Sequence, residues 1–192
     1  MEFELRYTDV IPEAWEALDK IPRIGWVKRG VKKPETVREH TISCRKLVIE
    51  LIDSLTEFSM SDILEILNML EVHDLPEVKT GDEPVITYNE EEKKKLKAEK
   101  FFREYNAMME ITKPLGTKGK EIFNLWLRFE KEDDRQSLFA KQIDKYQSIE
   151  KALWYQKNGE SVVAQDFIDY YKKDIVHPVL KKRMNDMKKL YH

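Results

Sequence analysis

Four side chains in this 192-residue chain have the types and placement to hold a divalent metal. His40 stands one helical turn before Cys44, on the same inward stripe as Leu47, Val48 and Leu51. His73 continues the stripe Ile66, Met69, Leu70, and Asp74 continues Leu67, Leu70. Asp144 lies on a ridge of small residues with Ala140, Ser148 and Ala152, against which another helix can come close. A carboxylate buried there needs a partner. Two imidazoles and two carboxylates from three helices suit one divalent transition metal (Mn, Co, Zn, Fe or Ni) and leave positions open for water and substrate. Taken singly, each of these residues is better explained as a helix-end group satisfied by hydrogen bonds. The segment EVHDLPEVKTGDEP adds Glu77 and Asp82, so that acids and an imidazole crowd one helix end and the loop after it. By residue type alone, Glu77 is a helix-end surface acid and Asp82 a turn residue after Gly81.

The elements that must carry these residues are helices, because the hydrophobic period is helical almost throughout. A short helix is expected over Pro12 to Asp19, then an ordered loop from Ile21 to Lys33. A long helix starts near Pro34 with Thr36 and Glu39 at capping-box spacing, its stripe running on to Leu55 and Phe58. A second starts near Ser59, capped by Asp62, is apolar on most sides and ends at Pro76; it should be the buried centre. Asn89 and Glu92 cap a third, with the stripe Ala98, Phe101, Phe102, Tyr105, Met108, Met109. A fourth runs from about Lys118 to Lys131 with Ile122, Leu125, Trp126 and Phe129 inward, and a fifth from about Gln136 to Lys157. The tail reads as two helices broken before Pro178. The fold class is all-α, a compact multi-helix bundle, with residues 1–192 as a single domain.

Composition removes several functions. Lys and Arg number 34 against 36 Asp and Glu, a net charge of −2, which argues against a dedicated nucleic-acid binder. Lys93-Lys94-Lys95 follows Glu90-Glu91-Glu92, and the pairs Glu90–Lys94 and Glu91–Lys95 make it a solvated helix face. The lone cysteine, Cys44, forbids an internal disulfide and is expected to be buried and unreactive. No apolar run is long enough to cross a membrane, and MEFELRYTDV is not a secretory signal, so a cytoplasmic setting is expected. Neither GxGxxG nor GxxxxGK[ST] occurs, which disfavours Rossmann and P-loop nucleotide enzymes. His177, before a proline at a helix break, is assigned to structure or a substrate loop, and the terminal His192 is given no role.

The segments IPRIGWVKRGVKKPETVREHT (21–41), VHDLPEVKTGD (72–82), NEEEKKKLKAE (89–99) and LFAKQID (138–144), with DF (166–167) and HP (177–178), stand in an order that resembles the HD-domain metal-dependent phosphohydrolases. More narrowly the chain is similar to their small 5′-deoxynucleotidase group, with the oxetanocin-type phosphohydrolases as further relatives. The resemblance implies that His40, His73, Asp74 and Asp144 are metal ligands. It places Glu77 at the family's acidic catalytic position and Asp82 at a second acid near the attacking water. Trp26 matches a tryptophan of the substrate pocket. Some members have arginine directly before that tryptophan; here the position is Gly25, so Arg23, Arg29 and Lys141 are the candidates for holding phosphate. A single metal, a nucleotide substrate and a homodimer are implied. Hydrolysis of nucleoside di- or triphosphates on the same site is the alternative within enzymes. A non-catalytic metal- or nucleotide-binding regulator is the alternative outside them.

Overall fold

The computed structural model describes residues 3–85, 87 and 89–189; His192 falls outside them. Ten α-helices are described: α1 (Pro12–Leu18), α2 (Ile24–Val27), α3 (Val37–Leu51), α4 (Met60–Val72), α5 (Glu77–Thr80), α6 (Glu90–Thr112), α7 (Gly116–Lys131), α8 (Arg135–Lys157), α9 (Ala164–Tyr171) and α10 (Pro178–Lys189). Among the described residues there is no strand, only an isolated antiparallel bridge between Pro22 and Thr36. The all-α reading therefore holds.

The capping chemistry is where the sequence puts it. Thr36 and Glu39 close a full capping box on α3, and Ser59 and Asp62 do the same on α4. The Asn89 side chain accepts the Glu91 and Glu92 backbone N–H groups at the start of α6. Each satisfies donors that the first turn leaves open.

Helix α4 is the axis of the bundle. It packs against α3, α7 and α8, and Ile66 to Val72 are buried without a break. Helix α8 in turn packs against α9. Beneath α4 lies an ion pair between Arg45 and Glu71, 3.0 Å apart and both nearly inaccessible. Arg45 also donates to the backbone carbonyls of Phe3, Glu4 and Leu67, and Glu71 accepts the Arg6 and Tyr7 N–H groups. The first described residues are thereby tied to the centre of the bundle.

Four expectations need correction. The segment 21–33 is not all loop: it contains α2, because the Arg23 carbonyl starts a turn through Trp26 and Val27. Helix α3 stops at Leu51 and passes into a 3-10 turn, although Leu55 and Phe58 beyond it remain buried. Helix α4 ends at Val72 rather than Pro76. Pro76 has no N–H to give the Val72 carbonyl four residues back and its ring crowds that carbonyl, so the helical ladder stops there, and Pro76 instead opens α5. On α6 the buried face is Glu104, Ala107, Met108 and Thr112, while Phe102 and Met109, one position round from it, are exposed. The lysine run also differs in detail. Lys95 faces Glu99, and Lys93 lies over the Tyr170 ring.

Helices α6 and α7 fold back on one another through a 3-10 turn at Lys113–Leu115. A Cβ at Gly119 would stand 1.9 Å from the Thr112 carbonyl oxygen, so glycine is required for this approach. Gly81 ends α5 at φ 74°, a left-handed conformation that turns the chain toward Asp82.

Candidate metal centre and its cavity

The ends and faces of three helices meet at His40, His73, Asp74 and Asp144. His40 is on α3, His73 caps α4 with Asp74 next to it, and Asp144 is midway along α8. His40 Nε2 is 3.1 Å from Asp144 Oδ1 and 3.8 Å from Asp74 Oδ2. His73 Nε2 is 3.1 Å from Asp74 Oδ2, and the two imidazole centroids are 5.4 Å apart. Donor atoms of His40, His73 and Asp74 all lie within 4.8 Å of one another, as do those of His40, Cys44 and Asp144. The structure thus brings together the four residues chosen from sequence.

The donor set fits a metal on its own chemistry. His73 Nδ1 is 2.7 Å from the Leu70 carbonyl oxygen, which can only accept, so Nδ1 carries the hydrogen. Nε2 of the neutral ring then offers a lone pair. It is buried and makes no hydrogen bond, despite its closeness to Asp74. A buried, unpaired acceptor aimed at carboxylates is costly as it stands and sensible as a ligand. Burial works against the charged forms here, yet His73, Arg23 and His40 hold the Asp74 carboxyl well below its ordinary value. For Asp144, burial is likewise outweighed by the two imidazoles. His73 is pulled up by Asp74 and Asp144 against the effect of burial. Cys44 is inaccessible, and burial with the nearby carboxylates drives its thiol pKa upward. Its Sγ nonetheless sits 3.6 Å from His40 Nε2, a neighbour that the four-residue spacing from His40 already signalled.

His73, Asp74 and Asp144 reach a cavity of about 800 Å³, with His40 inaccessible behind them. That volume is the size of a small-molecule site. Arg23 lines it and donates to Asp74 Oδ2 at 3.2 Å. Arg29 also lines it, stacked 4.5 Å over the Phe167 ring and donating to the Gly25 carbonyl. Lys141 reaches the same cavity with its charge already engaged, 2.7 Å from Glu130 and 4.0 Å over Phe129. Trp26 is buried, stacked on Phe167 at 4.7 Å and donating its indole N–H to Glu35, so it supports the wall more than it faces the opening.

Glu77 and Asp82 both line the cavity and both are buried. Glu77 Oε2 has no hydrogen-bond partner, and Oε1 is 3.7 Å from Lys100 Nζ. Burial, with Asp74 and Asp82 nearby, pushes its carboxyl pKa well up, opposed by Lys100 and Arg23. Asp82 Oδ2 accepts the Ile24 backbone N–H, which fastens the loop after α5 to the start of α2. Sequence reasoning missed Lys100 and Glu104, 3.2 Å apart on α6. Their i,i+4 spacing was visible, but it is indistinguishable from an exposed helix pair without knowing that α6 covers α5. His177 is elsewhere, paired with Glu57 and packed on Phe139.

Over 172 residues the chain is 33% identical to 5′-deoxynucleotidase HDDC2 of Dictyostelium discoideum, covering 85% of this chain and 87% of that one. It is 34% identical over 166 residues to 5′-deoxynucleotidase HDDC2 of Danio rerio, covering 84% of this chain and 76% of the other. In fold it is similar to a conserved hypothetical protein from Pyrococcus furiosus, with a TM-score of 0.73 at 21% identity over 93% of this chain and 98% of that one. A predicted metal-dependent phosphohydrolase from Magnetospirillum magnetotacticum has a TM-score of 0.63 at 18% identity, covering 91% of this chain and 86% of its own. The HD domain family matches residues 15–184, and the chain belongs to that family.

Proposed function

We infer that the chain is a metal-dependent phosphohydrolase that releases phosphate from deoxynucleoside 5′-monophosphates. The observation that carries this reading is the buried, unpaired His73 Nε2, gathered with His40, Asp74 and Asp144 at a cavity also lined by arginine and aromatic side chains. Similarity to the two 5′-deoxynucleotidases supports the monophosphate over longer phosphate chains.

His40, His73, Asp74 and Asp144 would hold one divalent transition metal: Mn, Co, Zn, Fe or Ni. Such an ion polarises a phosphate oxygen and makes water a better nucleophile at neutral pH. Arg23 carries positive charge into the cavity beside Asp74 and is assigned to hold a phosphate oxygen there. Arg29 and Lys141 add charge further along the wall. Glu77 takes a proton at Oε2, the oxygen no other group occupies. Asp82 keeps α2, and with it Arg23 and Trp26, against the loop that follows α5. Trp26, buried behind Phe167, backs the part of the wall suited to a sugar or base. The full reading is a single domain that works as a homodimer in the cytoplasm. No described helix is long and apolar enough to cross a membrane.

The test is phosphate release by metal-stripped protein after adding Mn, Co, Mg or Zn singly, with dAMP and dATP in parallel. Phosphate from dAMP that needs added metal is the expected result. Release from dATP alone reassigns the site to triphosphates. Bound metal with no product from either leaves the regulatory reading.

A further inference from the structure

We propose that Glu35 is a positioning residue that keeps the ring hydrogen of His40 on Nδ1, so that Nε2, the nitrogen beside Asp74 and Asp144, keeps the lone pair a metal needs, acting through the side-chain amide of Gln147. The inference rests on the metal reading above but not on the substrate.

Glu35 is 2% exposed at the entry to α3. Its Oε1 accepts the Trp26 indole N–H at 2.9 Å. Its Oε2 accepts Gln147 Nε2 at 3.2 Å and lies 3.5 Å from Lys151 Nζ. Its backbone N–H donates to the Tyr155 hydroxyl at 2.7 Å, so the residue is held at both ends. A carboxylate accepts, whereas a primary amide donates at one end and accepts at the other. The end of Gln147 that faces Glu35 must therefore be the NH2. The carbonyl end then faces His40, and Gln147 Oε1 lies 2.7 Å from His40 Nδ1. That oxygen can only accept, so Nδ1 carries the hydrogen. The lone pair of the neutral ring falls on Nε2, the atom beside Asp74 and Asp144.

The two histidines differ in how secure this is. His73 Nδ1 donates to the Leu70 backbone carbonyl, which cannot be turned round. His40 relies on an amide that can. The ligand carboxylates pull the wrong way, because Asp144 Oδ1, 3.1 Å from His40 Nε2, would accept a hydrogen placed there. A flipped Gln147 would donate to Nδ1, move the ring hydrogen to Nε2 and block it as a ligand. Glu35 prevents the flip. In Glu35→Gln the two facing amides pair in either sense, and the control is lost.

The experiment has two readouts, neither of which involves nucleotide. Ring 15N shifts of the metal-free protein, with imidazoles neutral, report the His40 tautomer. Cobalt(II) titration reports affinity. Wild type should carry its hydrogen on Nδ1. Glu35→Gln should populate the Nε2–H form and bind cobalt about tenfold more weakly, the usual scale for partners behind a ligand. Adding Gln147→Glu to Glu35→Gln exchanges the two side chains. It again gives His40 an obligate acceptor, and should restore cobalt affinity. Wild-type His40 with its hydrogen on Nε2 overturns the proposal without any variant. So does a folded Glu35→Gln protein of unchanged affinity, or an exchanged pair that fails to recover. Wild type that binds no cobalt defeats the metal reading itself. Wild type that binds cobalt but releases no phosphate from dAMP defeats only the substrate reading.

Discussion

Lys100 Nζ stands 3.7 Å from Glu77 Oε1, while the other oxygen of Glu77 has no partner at all. One oxygen of the carboxylate is therefore set by α6 and the other is buried without a hydrogen bond. Burial, Asp74 and Asp82 raise the Glu77 pKa, and Lys100 opposes them. Taking Lys100 away removes that opposition, so the base form requires a higher pH. Lys100→Met should move the acid limb of the pH–rate profile upward. On that limb kcat falls about tenfold for every pH unit the limb moves, and activity partly recovers as pH rises. Metal content should not change. An acid limb left in the wild-type position would show that Lys100 does not act on Glu77.

Glu104 offers a test on stability. Burial, more than Lys100 can offset, raises its pKa to about 7 from the 4.5 of an ordinary glutamate. The folded protein thus holds a proton between these values that the unfolded chain has lost. Stability falls as pH rises through that window, by an amount on the order of 3 kcal/mol. Glu104→Gln cannot ionise and should escape this loss. In metal-free protein its melting temperature relative to wild type should climb between pH 4.5 and pH 7. A constant difference across that range would mean that Glu104 does not titrate there.

Metal retention and turnover should separate between two carboxylates three residues apart. Asp74→Ala should lose both together, since a ligand is gone. Glu77→Ala should keep its metal and lose roughly 10²- to 10⁴-fold in turnover. Elemental analysis beside phosphate release from dAMP decides it. Glu77→Ala with wild-type turnover removes Glu77 from the mechanism.

The Arg45–Glu71 pair should dominate mutational effects far from the cavity. Glu71→Ala leaves Arg45 charged among backbone carbonyls and takes the acceptor from the Arg6 and Tyr7 N–H groups. A cost of about 3–5 kcal/mol is expected, read from the midpoint of urea unfolding. Arg45→Met with Glu71→Met together should cost less than Glu71→Ala alone.

What the sequence disclosed follows from how local each signal is. Capping boxes at Thr36 and Ser59 span four residues, and the structure keeps both. The cluster of His40, His73, Asp74 and Asp144 was legible because a histidine or aspartate on an apolar stripe is conspicuous, and because the segments around them resemble a known family in order. Helix α2 was missed because a single turn, Ile24 to Val27, is too short to show a period. The end of α4 was misplaced because the hydrogen bond that Pro76 cannot make belongs to Val72, four residues earlier. Glu35, Gln147, Lys100 and Glu104 are ordinary polar residues along the chain. They acquire meaning only when α8 is laid beside α3, and α6 over α5.

The corner between α6 and α7 has a consequence for inherited variation. Gly119 does not line the cavity, yet any side chain there collides with the Thr112 carbonyl. Helix α6 carries Lys100 and Glu104, and α7 carries Phe129 and Glu130, so both arms of the corner supply the cavity wall. A single-base change at the Gly119 codon would therefore read, in a screen for lost activity, like damage to the wall itself. Position 119 thus constrains the cavity without lining it.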